Sequence, residues 1–385
     1  MINVPFGRTL AALIASGMFA TGQLYLAIPL APAMAADWGS QPGAVMGTIT
    51  AFGLAYAAGF LVFGPLSDRI GRRRVMVYGL LGTALTTLLV ATASSLELAY
   101  PLRILQGFAT ASFAPAALAY LGERIVPHRR GIAIASLTSS FMASASLAQL
   151  GGQALAAHWR AAFVAGGIAL VIAAGIVRLV LQPDPAERSA LPSPIAALGR
   201  LARDRRLVLL YLAALAPLAG FVAIFTAFQL SGDFSSGELS ALRAGVLPAV
   251  VAIPFAARWL GRIPAVRRYA YLMLVAAVLA IYLAVVQPGV VVTGIVIAGF
   301  VFAIGTASPA LVEAIGARVP EIRGTAVSVF TAMLFVGASA GAPLANAAGT
   351  GVGIAVALLS VAGAGLALGF TRRAAVPSVT PPATA

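Results

Sequence analysis

Long apolar stretches separated by short polar intervals run along the whole chain. A helix that crosses a membrane needs about 20 consecutive, mostly apolar residues. Backbone polar groups cannot stay unpaired in lipid, and strand-like alternation is absent, so each stretch predicts a helix. The pattern predicts an all-α integral membrane fold with twelve transmembrane helices, at residues 9–33, 43–66, 74–94, 98–121, 131–156, 160–181, 207–230, 241–260, 268–287, 290–315, 323–347 and 350–370.

The first and eighth stretches depart from the simple pattern. The first is longer than the apolar core of a signal peptide, which has about 7–15 residues, and it therefore predicts a membrane span. The eighth is the least regular, because Pro248, Pro254 and Arg258 interrupt it.

A proline-rich polar interval, 182–206, divides the stretches into six and six. The pattern V-P-x-x-R-G-x-A begins at Val126 and again at Val319, which favours an internal duplication. Secondary transporters are often built from such repeats and bind solute between them. We expect two pseudo-symmetric six-helix bundles, with a short amphipathic surface helix over Ile195–Arg206. The expected divisions are 1–181 and 207–371 for the bundles, 182–206 for a cytoplasmic linker and 372–385 for a cytoplasmic tail.

Composition agrees with lipid as the surrounding solvent. Hydrophobic residues make up 61% and charged residues 9% of the 385 residues, whereas soluble domains carry about 25% charged residues. Cysteine is absent and there are two histidines, so no disulfide, metal centre or cofactor is expected. A phosphate-binding glycine-rich loop and a nucleophile–base pair are also missing, which argues against an enzyme.

Nearly all of the arginines fall in alternate loops, and this accounts for the net charge of +14. The interval between the second and third stretches holds four arginines, whereas the opposite loops hold Arg160 and Arg243. Basic loops face the cytoplasm, so both termini are expected there, in a bacterial inner membrane. The charge then needs no nucleic-acid partner, and the expected partners are lipid and a small solute. A monomer is expected.

Residues 64–74, between the second and third stretches, read GPLSDRIGRRR. This segment resembles the G-x-L-x-D-R-x-G-R-R loop of the major facilitator superfamily. The resemblance implies a conformational latch that holds the inner ends of the two bundles together. The latch residues would be Gly64, Asp68, Arg69, Gly71 and Arg72, with Arg130 and Arg323 as partners. The arginines can alternatively serve only to orient the loop.

Arg103 is a charge inside the fourth predicted helix, where charge is costly and usually functional. Arg103, Gln106, Gly107 and Thr110 share one helical face, which we expect to point into the bundle. The R-x-x-Q-G pattern resembles the fourth-span signature of proton-coupled drug antiporters in the same superfamily, which implies a role in proton coupling. Alternatively, Arg103 extends to the outer headgroups.

Other polar residues in the apolar stretches are weaker candidates for a cavity. Asp37 ends the first stretch, and Glu313 in the tenth either faces the cavity or caps its inner end. No acid is identified as the proton carrier. The uncharged candidates either line a weakly polar cavity or form hydrogen bonds between helices, and they are Gln23, Tyr25, Gln149, Gln153, Gln229 and Asn346.

The leading functional hypothesis is a proton-driven exporter of small amphipathic molecules that works by alternating access. The fifth stretch argues against the assignment as an antiporter, because Ala148 and Gln149 stand where such antiporters have a Gly-Pro pair. Uptake of a metabolite by symport or uniport is a second hypothesis. A non-transporting sensor or lipid-handling protein is a third, and it would need no latch.

Reporter fusions test the predicted topology. A cytoplasm-active reporter fused after Arg72 should be active, and one fused after Asp233 should be silent, because the basic loops are retained inside. An external location for the segment around Arg72 would contradict the predicted arrangement.

Overall fold

A computed structural model describes residues 5–184, 194–319 and 322–371. Within these ranges the chain is helical, and no strand occurs. The predicted tail 372–385 and most of the proline-rich part of the linker lie outside the described residues. We call the side that carries Arg72 the inner side and the opposite side the outer side.

Eleven of the described helical segments are long and apolar enough to cross a membrane. The last of them, residues 324–371, turns at a short 3₁₀ helix, Gly349–Gly351, and divided there it brings the described helices to twelve passes. The helices are α1 Phe6–Asp37, α2 Pro42–Ile70, α3 Arg72–Ala91, α4 Leu96–Thr110, α5 Phe113–Arg124, α6 Pro127–Ala154, α7 Trp159–Val180, α8 Pro194–Arg203, α9 Arg205–Ala213, α10 Leu215–Ser231, α11 Ser236–Gly245, α12 Leu247–Leu260, α13 Ala265–Val286, α14 Val290–Arg318, α15 Arg323–Ala348 and α16 Val352–Thr371.

The fourth, seventh and eighth passes each consist of two helices, namely α4 with α5, α9 with α10, and α11 with α12. In each case a proline stands in the first turn of the second helix, at Pro115, Pro217 or Pro248. Proline lacks the N–H that would continue the preceding ladder, but it is tolerated in a first turn. The interruption expected around 241–260 is therefore confirmed as a break before Leu247.

The eighth pass begins earlier than the sequence pattern indicates, at Ser236 rather than at 241. Ser235 accepts a hydrogen bond from the backbone N–H of Glu238, whose carboxylate in turn accepts one from the backbone N–H of Ser235. This capping box starts a helix in a segment too polar to be recognised as apolar. Arg243, expected in an outer loop, consequently lies inside α11.

The first six passes pack mainly among themselves, and so do the last six. In the first set α1 lies against α6 and α3 against α7, and in the second set α10 lies against α15 and α13 against α16. The two sets meet mostly along α2 and α15. There the ring of Phe335 lies 4.4 Å from that of Tyr56, and Thr50 Oγ1 donates to the Ser339 carbonyl oxygen at 2.8 Å.

The predicted surface helix over Ile195–Arg206 is interrupted at Asp204. The helix α8 ends at Arg203, and Asp204 caps the next helix by accepting from the backbone N–H groups of Arg206 and Leu207. Arg318 Nε also donates to its carboxylate, at 2.8 Å. Partial burial opposes ionisation, but these hydrogen bonds outweigh it and hold the pKa of Asp204 below its usual value.

Close packing of α4 against α2 requires glycine at position 107. A Cβ at Gly107 would collide with the Phe52 carbonyl oxygen, and it would stand 2.9 Å from the carbonyl carbon and 3.0 Å from the Cα of Phe52. These are backbone atoms of a buried helix and cannot move aside independently. Gly107 therefore fixes how closely the fourth pass approaches the second.

Replacing Gly107 with alanine should lower thermal stability in detergent. Overpacking of this kind costs about 1–3 kcal/mol. The matched control is Gly175→Ala in α7, where a Cβ would meet no atom within 4 Å. The control should keep or slightly raise the melting temperature, because alanine favours helix over glycine. Equal melting temperatures for both variants would contradict the assigned close approach.

Candidate functional site

Arg103 is fully buried in α4 and bonded to the first pass. Its Nη1 donates to the Gln23 carbonyl oxygen at 3.0 Å, and its Nη2 lies 3.5 Å from the Leu24 carbonyl oxygen. The guanidinium carbon stands 4.5 Å from the centre of the Phe52 ring. The Arg103 side chain therefore does not extend to the outer headgroups, and it points into the bundle as expected.

Gln106 links Arg103 to a third pass. Its Oε1 accepts from Arg103 Nη1 at 2.6 Å, while its Nε2 donates to Thr87 Oγ1 at 2.7 Å and to Gln23 Oε1 at 3.2 Å. The shared face predicted for Arg103, Gln106, Gly107 and Thr110 is confirmed, since all four are buried. We call Arg103, Gln106, Gln23 and Thr87 the Arg103 network.

The Arg103 network contains no carboxylate, and every acceptor described for Arg103 is a neutral oxygen. The Nε of Arg103 is buried without a hydrogen-bond partner. A buried cation with an unused donor is costly unless other interactions compensate, and the ring of Phe52 supplies one of them. The arrangement can hold a positive charge in place, but it offers no described acid for a proton relay.

Arg243 forms a second buried cluster, which corrects its placement in an outer loop. It is 1% exposed, and it donates from Nε to Gln149 Oε1 at 3.2 Å, from Nη1 to Gln153 Oε1 at 2.6 Å and from Nη2 to Gln229 Oε1 at 2.6 Å. Gln149 and Gln153 belong to α6 and Gln229 to α10, so the cluster joins the two sets of passes. We call these four residues the outer cluster.

Two predicted acids lie at the edges of the passes. Asp37 is exposed and pairs with Arg160 at the outer end of α1. Glu313 pairs with Arg268 across 2.5 Å, and its side chain is 60% exposed. Of the two alternatives left open for Glu313, the structure therefore favours the inner end of its helix.

The two remaining cavity candidates make packing contacts. Tyr25 is buried, and its ring lies edge-on to that of Phe221 with centres 5.8 Å apart. Asn346 is exposed near the outer end of α15, where its Nδ2 donates to the Gly43 carbonyl oxygen at 3.3 Å. Both contacts cross between the two sets of passes.

The loop at residues 64–74 is described only in part. The side chains of Asp68, Arg130 and Arg323 lie outside the described residues. A Cβ at Gly64 would stand 3.0 Å from Ser328 Oγ on α15, so this end of α2 lies close to the second set of passes. Gly71 has φ +123°, a conformation that favours glycine, and Arg69 is exposed.

Arg72 shows a contact that the sequence did not predict. Its Nη2 donates to Glu123 Oε1 at 2.8 Å, and its Nη1 donates to Ser67 Oγ at 2.5 Å. The carboxylate of Asp184 accepts from the backbone N–H groups of Arg73 and Arg74, and so caps α3. Asp184 follows α7 in the sequence, and an acid in such a connection can cap a neighbouring helix. The sequence spacing does not show that the capped helix is α3.

These features define a multi-pass α-helical membrane protein with buried arginine networks inside the bundle. A sequence profile of the Major Facilitator Superfamily matches residues 13–342, so the chain belongs to that family of transporters.

Its relatives include an uncharacterised transporter and two proteins whose names refer to resistance. The chain is 27% identical over 281 residues to the uncharacterised MFS-type transporter YybF of Bacillus subtilis, covering 69% of this chain and 67% of the relative. It is 27% identical to a chloramphenicol resistance protein of Pseudomonas aeruginosa, covering 61% and 57%. It is 37% identical over 108 residues to multidrug resistance protein D of Escherichia coli, covering 28% and 27%. The match thus spans little more than half of the second relative and about a quarter of the third.

Changing Arg103 to lysine should destabilise the protein. One ammonium cannot reach the acceptors that the guanidinium joins, which leaves buried carbonyl or amide oxygens unpaired. The expected loss is about 2–3 kcal/mol, measured as thermal stability of a fluorescent fusion in detergent. Arg160→Lys is the control, because that arginine is exposed at the outer surface. A loss of equal size in the control would contradict a special role for the buried network.

Proposed function

We propose that this protein is a secondary transporter that exports small amphipathic molecules by alternating access, coupled to inward movement of protons. The two sets of passes, 1–181 and 207–371, act as the moving bundles, and 182–206 connects them in the cytoplasm. Both termini are cytoplasmic, the membrane is the bacterial inner membrane and the transporter works as a monomer. Membership of a transporter family supports the general class.

Two observations favour export over uptake. Relatives include a chloramphenicol resistance protein and multidrug resistance protein D, and removal of drugs from the cell is one route to resistance. The R-x-x-Q-G segment at Arg103 also resembles that of proton-coupled drug antiporters in the superfamily. The buried bonding of Arg103 and Gln106 makes this segment a central part of the bundle.

The hydrogen bonds between the two sets of passes support a closed outer side. Four such bonds are described, from Thr50, Asn346 and twice from Arg243, and all four lie in the outer part of the helices. For solute to leave outward, these bonds must break. Neutral amide and carbonyl acceptors suit this step, because water can replace them when the outer side opens.

Proton coupling is the finer part of the proposal and has no assigned carrier. The described acids lie at helix ends or in connections, and Asp37, Glu123, Asp204 and Glu313 are paired with arginines. Arg103 would then contribute by stabilising a negatively charged state near the path rather than by carrying the proton. Asp68 would contribute to the inner latch.

Transport by inverted vesicles tests the proposed function. Vesicles that contain the protein should accumulate compounds from a labelled amphipathic panel, with anionic, neutral and cationic members, when the vesicle interior is made acidic. Accumulation should stop when a protonophore collapses the gradient, and Asp68→Asn should reduce the rate at least fivefold. Asp233→Asn, at an exposed acid of the outer connection, is the matched control. Accumulation that ignores the gradient would contradict proton coupling, and full activity in Asp68→Asn would contradict the latch.

A further inference from the structure

The distribution of charge inside the bundle is unusual in one respect, because the two arginines buried deep in the described passes have no acid beside them. Arg103 and Arg243 are 0% and 1% exposed. Neither is among the described ion pairs, which involve Arg72, Arg160, Arg268 and Arg318. In the described passes, the hydrogen bonds from these two guanidinium groups therefore all go to neutral oxygens.

Glu238 is the acid nearest to Arg243 along the chain, and it is occupied elsewhere. Its Oε2 accepts from the backbone N–H and the hydroxyl of Ser235 at 2.8 and 2.7 Å. Gln149, by contrast, has its amide oriented for the arginine, because its Nε2 donates to the Ala145 carbonyl oxygen at 3.1 Å and leaves Oε1 for Arg243 Nε. The outer cluster thus presents oxygens, and no carboxylate, to the guanidinium.

Opening of the outer side must divide the outer cluster. Gln229 belongs to the same set of passes as Arg243, whereas Gln149 and Gln153 belong to the other. When the sets separate, Arg243 can keep Gln229 but must release the oxygens that its Nε and Nη1 now contact. The Nε–H and an Nη1 N–H then lose their acceptors. They lie on two different edges of the guanidinium, and each edge is completed by one of the two N–H groups of Nη2, one of which donates to Gln229.

The edge whose Nη2 N–H is not bonded to Gln229 then offers two parallel N–H groups, which fit a carboxylate or another planar anion. A cationic solute would be repelled by the same group in a medium of low dielectric constant. Movement of an anion out of a cell that is negative inside is also favoured by the membrane potential.

We propose that the exported solutes are amphipathic anions and that Arg243 is the residue that recognises their negative charge at the outer gate. This proposal rests on the proposed function, since it concerns the path through the same bundle. In the closed state the side-chain oxygens of Gln149 and Gln153 accept hydrogen bonds from the guanidinium of Arg243. In the opening state the anion replaces them, which couples recognition of charge to separation of the two sets of passes.

Three probes with one ring system and different charge test this proposal, namely 2-naphthoate, 2-naphthamide and 2-naphthylmethylammonium. Binding of each, in radiolabelled form, is measured on the purified full chain in lipid nanodiscs. The unmodified protein should bind naphthoate at least tenfold more tightly than the ammonium probe. Arg243→Gln should reduce this ratio to about threefold or less, while Arg243→Lys should retain most of it because the charge remains.

Two further variants separate recognition from folding and from surface charge. Arg160→Gln removes an outer arginine that is exposed and paired with Asp37, and its ratio should not change. Gln153→Leu removes a competing oxygen and leaves the cation, so naphthoate should bind more tightly while binding of the ammonium probe is unchanged. Each variant is first checked for a single symmetric peak in size-exclusion chromatography.

The outcomes distinguish this proposal from the proposed function. Equal binding of naphthoate and the ammonium probe, or an unchanged ratio in Arg243→Gln, would overturn the assignment of charge recognition even if export is observed. If naphthoate is bound selectively but moves inward in cells, charge recognition stands and export is wrong.

Discussion

The interior of a bilayer supplies no water, and this constraint governs how the chain treats its buried arginines. Each N–H of a guanidinium must find an acceptor from another part of the protein or remain unpaired at a cost. Arg103 obtains acceptors from α1 and from its own helix, and Arg243 obtains them from α6 and α10. The positions of several helices are therefore tied to two side chains.

The acceptors of these hydrogen bonds are neutral, and this affects how readily the bonds can break. A buried ion pair leaves an uncompensated charge when its members separate, which is strongly unfavourable. An amide that leaves a guanidinium is replaced by water whenever the site becomes wet. In the proposed transport cycle, the outer cluster can therefore join the two sets of passes and still open. The hydrogen bonds from Thr50 and Asn346 to backbone carbonyl oxygens also have neutral acceptors.

The sequence predicted the passes and the buried face of Arg103, because apolar length and helical spacing are local properties. It did not predict the partners, since Thr87 and Gln23 meet Gln106 only after three passes pack together. Arg243 was wrongly assigned to a loop because the serine and glutamate that cap its helix reduce the local hydropathy. The same polar residues that obscure the pass in the sequence are the ones that start its helix.

Charges at the edges of the passes have a different role from those inside. The pairs of Asp37 with Arg160 and of Arg72 with Glu123 are partly exposed, and exposed pairs contribute only about 0–1 kcal/mol each. They therefore orient helix ends and connections more than they stabilise one conformation. A change between outward and inward states must draw its main energy difference from groups whose surroundings change from dry to wet. Of the described charged groups, Arg243 meets that condition most directly, because it is buried between the two sets of passes that separate in the proposed transport cycle.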